Sequence, residues 1–133
     1  MVREIDKNKA FDFLQQADEF LASAQENLNK KRYNAAGFDA IQAMINTNDA
    51  LTIYYLGQRA SADHREAVRL HIDVIRNIQD NKFAEKFKQA LDRRSEAGYL
   101  GKKMKNDEAE KLLELAFRFY IWTKSYIQPV PRK

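Results

Sequence analysis

The chain has no cysteine, and its 133 residues include only four glycines, two prolines and two histidines. The missing cysteine excludes disulfides, thiolate metal sites and a thiol nucleophile, and it fits a cytoplasmic chain. Both prolines fall in the tail QPVPRK, so nothing interrupts the backbone for long stretches, which argues for helices. No apolar run approaches the ~20 residues that a membrane helix needs. The opening MVREIDKNKAFDF is charged and lacks the apolar core of a signal peptide.

The length fits one domain spanning residues 1–133, with the stretch from Pro129 onward read as a loose tail. Hydrophobic residues make up 44% and charged residues 32%, a soluble globular profile. The net charge of +4 tolerates a polyanionic partner without demanding one, because the cations are scattered among acids.

Periodicity then places the helices. Ala10, Leu14, Ala17, Leu21, Ala24 and Leu28 alternate steps of four and three, one apolar stripe on a first helix that ends at the polar corner Asn29-Lys30-Lys31. A second helix, roughly 32–56, carries the stripe Tyr33, Gly37, Ala40, Met44, Thr47, Leu51 and Tyr54. Its small residues let neighbours approach closely, which predicts a central position. Asn46, Asn48 and Asp49 interrupt its second half, and at least one must flank the buried stripe. Gly57 stops this helix. Ser61 or Asp63 caps a third, from about Ala62 to Ile78, with Ala67, Val68, His71, Ile72 and Ile75 toward the core. Phe83, Phe87, Ala90 and Leu91 mark a fourth that fades from Arg93 to Gly101. Asn106 caps a fifth, whose stripe runs Ala109, Leu112, Leu113, Ala116, Phe119, Tyr120, Thr123 and Ile127. No strand pattern is visible. Short connections between long helices predict an all-α, up-and-down antiparallel bundle of four to five helices.

The stretch LGQRASADHREAV, residues 56–68, holds the chemistry. Arg59 and His64 are five apart and would point ~140° away from each other on one helix. Gly57 removes that conflict: Arg59 lies in the connection and His64 in the first turn of the third helix. A guanidinium grips phosphate oxygens through parallel hydrogen bonds and keeps its charge. Imidazole titrates near ~6.5 and exchanges protons at neutral pH. Together they suit cleavage of RNA without a metal, the histidine moving the 2′-hydroxyl or leaving-group proton and the arginine stabilising the crowded phosphorus. The plainer alternative is a solvated loop arginine followed by a capping histidine.

The chain resembles the HEPN superfamily of small helical bundles over nearly its whole length. RYNAAGFDAIQAMINTNDALTIYYLG looks like that family's second helix, and RASADHREAV like its Arg-x4–6-His motif opening the next. RRSEAGYLGKKMKNDEAEKLLELAFRFYIW is similar to the family's ending. The resemblance implies a bundle that dimerises, with the Arg-His motifs of two protomers lining a shared cleft that works without metal or other cofactor. It assigns the catalytic roles to Arg59 and His64. Active members often carry a polar residue directly after the arginine; here it is Ala60. Non-catalytic relatives imply the alternative: an antitoxin-like module that binds nucleotide, RNA or protein, or a partner of a nucleotidyltransferase-type protein.

Other residues have two readings each. Asp49 can fix the His64 tautomer or contact a nucleotide, and Asn46 can face the same cleft; otherwise both are helix–helix contacts. Asp63 is a helix cap. His71 shares a helix face with His64, ~10 Å along the axis, too far to ligate one metal with it, and is expected at the core edge with a hydrogen-bond partner. Tyr99 can stack on a base or pack at the bundle end. Lys102, Lys103 and Lys105 can meet a nucleic-acid backbone or simply be solvated. The aromatics Phe117, Phe119, Tyr120, Trp122 and Tyr126 exceed one helix face, which suggests a dimer contact.

Overall fold

A computed structural model describes residues 2–60, 63–99, 101 and 103–128. Five helices carry the chain: α1 (Ala10–Asn29), α2 (Tyr33–Leu56), α3 (His64–Ile78), α4 (Ala84–Tyr99) and α5 (Asn106–Tyr126). The architecture is the expected all-α bundle. α2 packs against all four other helices and occupies its centre. No helix among the described residues is long and apolar enough to cross a membrane. The expected tail beyond Pro129 and the possible cap Ser61 lie outside the described residues.

The α1 stripe is buried at Ala10, Leu14, Ala17, Leu21 and Ala24, against α2. The turn to α2 closes at Lys31, whose backbone is left-handed at φ 61°. In α2 the small residues are used as the pattern predicts. A Cβ on Gly37 would overlap Met104 Sδ, so glycine here makes room for the segment that leads into α5. Asn34 Oδ1 accepts the Met104 N–H at 2.7 Å and holds that segment down. The polar half of α2 goes deeper than expected: Asn46, Asn48 and Asp49 are all buried, as are Thr47 and Thr52.

Gly57 ends α2 in the left-handed conformation, φ 66°, and its N–H bonds Ile53 O. The chain then forms a feature the sequence pattern did not reveal. Gln58–Ala60 is a strand, β2, paired antiparallel with β1 (Val2–Glu4), with Arg3 opposite Arg59. Ile5 N–H also bonds Gly57 O at 2.8 Å. Three residues are too few for a period-two pattern to be read. Their pairing fixes residues 58–60 of the α2–α3 connection in a two-stranded ribbon.

α3 starts at His64 rather than near Ala62. Asp63 is its cap, accepting the Arg65 N–H at 2.8 Å. Ala67 and His71 are buried as expected, but Leu70 and Val74 complete the face in place of Val68, Ile72 and Ile75: Ile72 is 39% exposed, and Val68 and Ile75 are only partly covered. The helix is rotated because Asn48 bonds it twice, donating to Ala67 O and meeting His71 Nδ1. α4 does not fade at Arg93 but continues to Tyr99. Arg93 forks onto Glu108 and also reaches Lys103 O, which ties the second half of α4 to the start of α5. Asn106 is the first residue of α5 rather than its cap, and Lys105 holds the cap position without a side-chain cap. The predicted α5 stripe is buried throughout.

The turn between α3 and α4 pins the far end of α5. Asp80 accepts from Trp122 Nε1 at 2.9 Å and from Tyr126 OH at 2.6 Å. Beneath this corner Phe83, Phe87, Phe119 and Trp122 stack and tilt against one another with ring centroids 5.3–5.8 Å apart. Such pairs contribute about 0.5–1.5 kcal/mol each beyond the area they bury.

Candidate functional site

Arg59 sits on β2, one residue from the strand's end, and His64 is the first residue of α3. The ribbon fixes the backbone of the first and the Asp63 cap fixes that of the second. Both therefore stand where α2 gives way to α3.

The arginine is held from beneath. Its Nε donates to Asp49 Oδ2 at 3.1 Å, and its Cζ lies 4.6 Å from the centre of the Phe13 ring. The Asp49 side chain is 4% exposed and that of Arg59 27%. Asp49 is ten residues before Arg59, and the reversal at Gly57 brings the chain back over it. Burial pushes the Asp49 carboxyl up to about 6, a rise that the Arg59 charge offsets only in part. The guanidinium is thus bonded at its Nε edge and stacked on a ring face. Among the described residues neither Nη group is bonded, and a phosphate needs just that pair of donors.

His64 is half-buried. Burial first, and the Arg94 guanidinium second, lower the imidazole's hold on its proton, while Asp63 and Asp92 pull the other way. The ring therefore faces charges of α4, whereas Arg59 is anchored to α1 and α2. Among the described residues no hydrogen bond joins Arg59 to His64, and Asp49 serves the arginine rather than the histidine.

The remaining candidates separate. Asn46 bonds along and across helices: its Oδ1 accepts from Gln42 Nε2 at 3.1 Å and its Nδ2 donates to Gln16 Oε1 at 3.4 Å. It ties α2 to α1. Tyr99 closes α4, and its side chain lies outside the described residues, as does Lys102. Lys103 and Lys105 are exposed and line a cleft of about 580 Å³ with Lys86, Arg93 and Lys111. No group of three or more histidine, aspartate or glutamate side chains among the described residues is placed to hold a metal ion.

His71 is more than a core-edge residue. It is fully buried, with Phe87, Phe119 and Trp122 around it at 5.4–6.2 Å. Its Nδ1 lies 2.9 Å from Asn48 Oδ1, while Asn48 Nδ2 is committed to Ala67 O. The amide oxygen can only accept, so the imidazole carries its proton on Nδ1, and Nε2 is a buried acceptor without a partner. Burial lowers the ring's pKa to about 4.

Phe13, Asp92 and Arg94 were not visible as site residues in the sequence. Phe13 shares the inward side of α1 with Ala10 and reads as core; Arg94 stands in a run of mixed charge. Only the fold brings them to Arg59 and His64. A family model for the HEPN domain matches the chain over residues 10–126. No curated protein matches it.

Proposed function

The chain belongs to the HEPN family, and from that premise we propose that it is a metal-independent endoribonuclease, working as a homodimer whose Arg59 and His64 pairs line one cleft. The observation that carries this reading is the posture of Arg59. A buried carboxylate and a ring face hold one side of the guanidinium, and among the described residues nothing bonds the two Nη groups, which leaves them for a phosphate. His64, whose hold on its proton is weakened by burial and by the Arg94 charge, is suited to act as a base.

In the proposed reaction, His64 of one protomer takes the proton of a ribose 2′-hydroxyl. The 2′-oxygen attacks the adjacent phosphorus while Arg59 balances charge on the equatorial oxygens. The bond to the 5′-oxygen breaks, and that oxygen takes up the proton from the imidazolium formed when His64 took it from the 2′-hydroxyl. The products are a 2′,3′-cyclic phosphate and a 5′-hydroxyl.

Replacing Arg59 or His64 by alanine is expected to remove cleavage of single-stranded RNA and leave helical circular dichroism unchanged. Equal cleavage by the wild type and both variants refutes the assignment. A second reading, a non-catalytic HEPN module that binds RNA, nucleotide or a nucleotidyltransferase-type protein, is favoured by one residue. Ala60 is apolar and buried where a polar neighbour would help the arginine. Nuclease-free protein that binds RNA oligonucleotides without shortening them would select it.

A further inference from the structure

A second surface, away from Arg59, His64 and Asp49, has the shape and charge of a docking groove. It follows α5 from Asn106 to Ser125 at steps of three and four residues, so it runs about 28 Å along one helix face at ~1.5 Å per residue. The end of α1 closes one side and the start of α4 the other. Its volume of about 1190 Å³ exceeds the ~300–1,000 Å³ of ordinary small-ligand clefts.

The floor is apolar. Phe117 and Ile121, one turn apart on α5, are 53% and 55% exposed, and both lie in it beside Leu28 and Trp122. The other aromatics of α5 are consumed within the chain: Phe119, Tyr120 and Trp122 are buried. Of the exposed large apolar side chains among the described residues, the two most exposed thus lie in this groove, while Phe11 and Ile72 lie outside it. Its rim is cationic. Lys31, Lys82, Lys86 and Arg118 line it against two carboxylates, Glu110 and Glu114, and Glu114 is already paired with Arg118 at 2.7 Å.

We propose that this groove binds an acidic amphipathic helix of a partner protein. The length fits about five helical turns, and an apolar stripe at i, i+3, i+4 and i+7 would cover Phe117 and Ile121. Glutamates or aspartates flanking that stripe would meet Lys31, Lys82 and Lys86. Charge also argues against a second copy of the chain: two-fold pairing of the groove with itself would bring together two sets of four cations against two carboxylates each, and Glu114 is already paired within its own chain. RNA would lay charged phosphates over an apolar floor.

The only tryptophan of the chain, Trp122, lies in the groove and reports its occupancy. The probe is a synthetic 18-residue helical peptide with leucines at i, i+3, i+4 and i+7 and glutamates on both flanks. It is expected to change Trp122 emission saturably and to bind at least tenfold more weakly in high salt. Ile121→Asp, an exposed position, is expected to weaken it tenfold or more with helical circular dichroism and RNA cleavage unchanged. Lys82→Glu together with Lys86→Glu is expected to reverse the preference toward a lysine-flanked version of the peptide. Equal binding of the two peptides by the wild type, or no emission change with either, overturns the proposal. So does a single-stranded RNA that displaces the acidic peptide, or a wild-type dimer that Ile121→Asp dissociates.

Discussion

His64 opens α3 half-exposed among the charges of Asp63, Asp92 and Arg94, whereas His71, seven residues on, is sealed among Phe87, Phe119 and Trp122. The same side chain on the same helix is set to two tasks by its surroundings. Both rings hold their protons less firmly than free imidazole, yet for different purposes. At His64 the result is a ring open to solvent, as the proposed base requires. At His71 it is a ring kept neutral so that it can bond Asn48 inside an aromatic core. Aromatic neighbours and a fixed tautomer mark the second as structural, while the accessibility of the first is what the proposed chemistry requires.

Substitution separates the two most sharply. His64→Ala is expected to lower RNA cleavage by about 10²–10⁴-fold, the range for losing a general acid–base, while changing unfolding free energy by less than ~0.5 kcal/mol. His71→Ala is expected to cost about 3 kcal/mol in urea unfolding, because it opens a cavity and strands the Asn48 amide. If the two variants lose equal stability, the contrast between them fails.

Asp49→Asn probes what holds the arginine. It keeps the shape but weakens the charged bond to Arg59, and about a 10–100-fold loss of cleavage is expected from misplacement of the guanidinium. A merely structural Asp49 would leave the pH profile alone. As an anchor with a pKa of about 6, it contributes to the acid limb of the rate, and the variant should shift that limb.

Acid stability sharpens the comparison further, since two buried groups act with opposite signs. The His71 pKa is depressed when folded, so stability is lost as pH falls from ~6.5 toward about 4. The Asp49 pKa is raised from 3.8 to about 6, so its burial is unfavourable above that range and is relieved as pH falls through it. The two nearly cancel in the wild type. Asp49→Asn removes the relief, and about 2 kcal/mol of stability is expected to disappear between pH 7 and pH 4.5, read by denaturant midpoints. The smallest effect is expected next to His71 itself: Ile72→Ser, on the exposed side, should move stability by no more than ~0.5 kcal/mol.

The helices were legible because their apolar residues recur at a fixed step. The stripe Ala109 to Ile127 and the stop at Gly57 depend on nothing beyond neighbours along the chain. The face of α3 was legible only at Ala67 and His71, because Leu70 and Val74 compete with Ile72 and Ile75 for the core. Asn48, on another helix, decides between them. For the same reason Arg59 and His64 could be singled out by type and spacing, while Phe13, Asp92 and Arg94 could not. Contacts of that kind join segments whose separation carries no period.

β1 and β2 lie at opposite ends of the α1–α2 hairpin in the chain, yet pair side by side in the fold. During synthesis the first strand must wait until both long helices have emerged and Gly57 has turned the chain back. The platform beneath Arg59 therefore comes into being late, and a polypeptide halted before residue 58 carries no seated arginine. The strand pairing that seats Arg59 thus closes only after the α1–α2 hairpin between its two strands has been made.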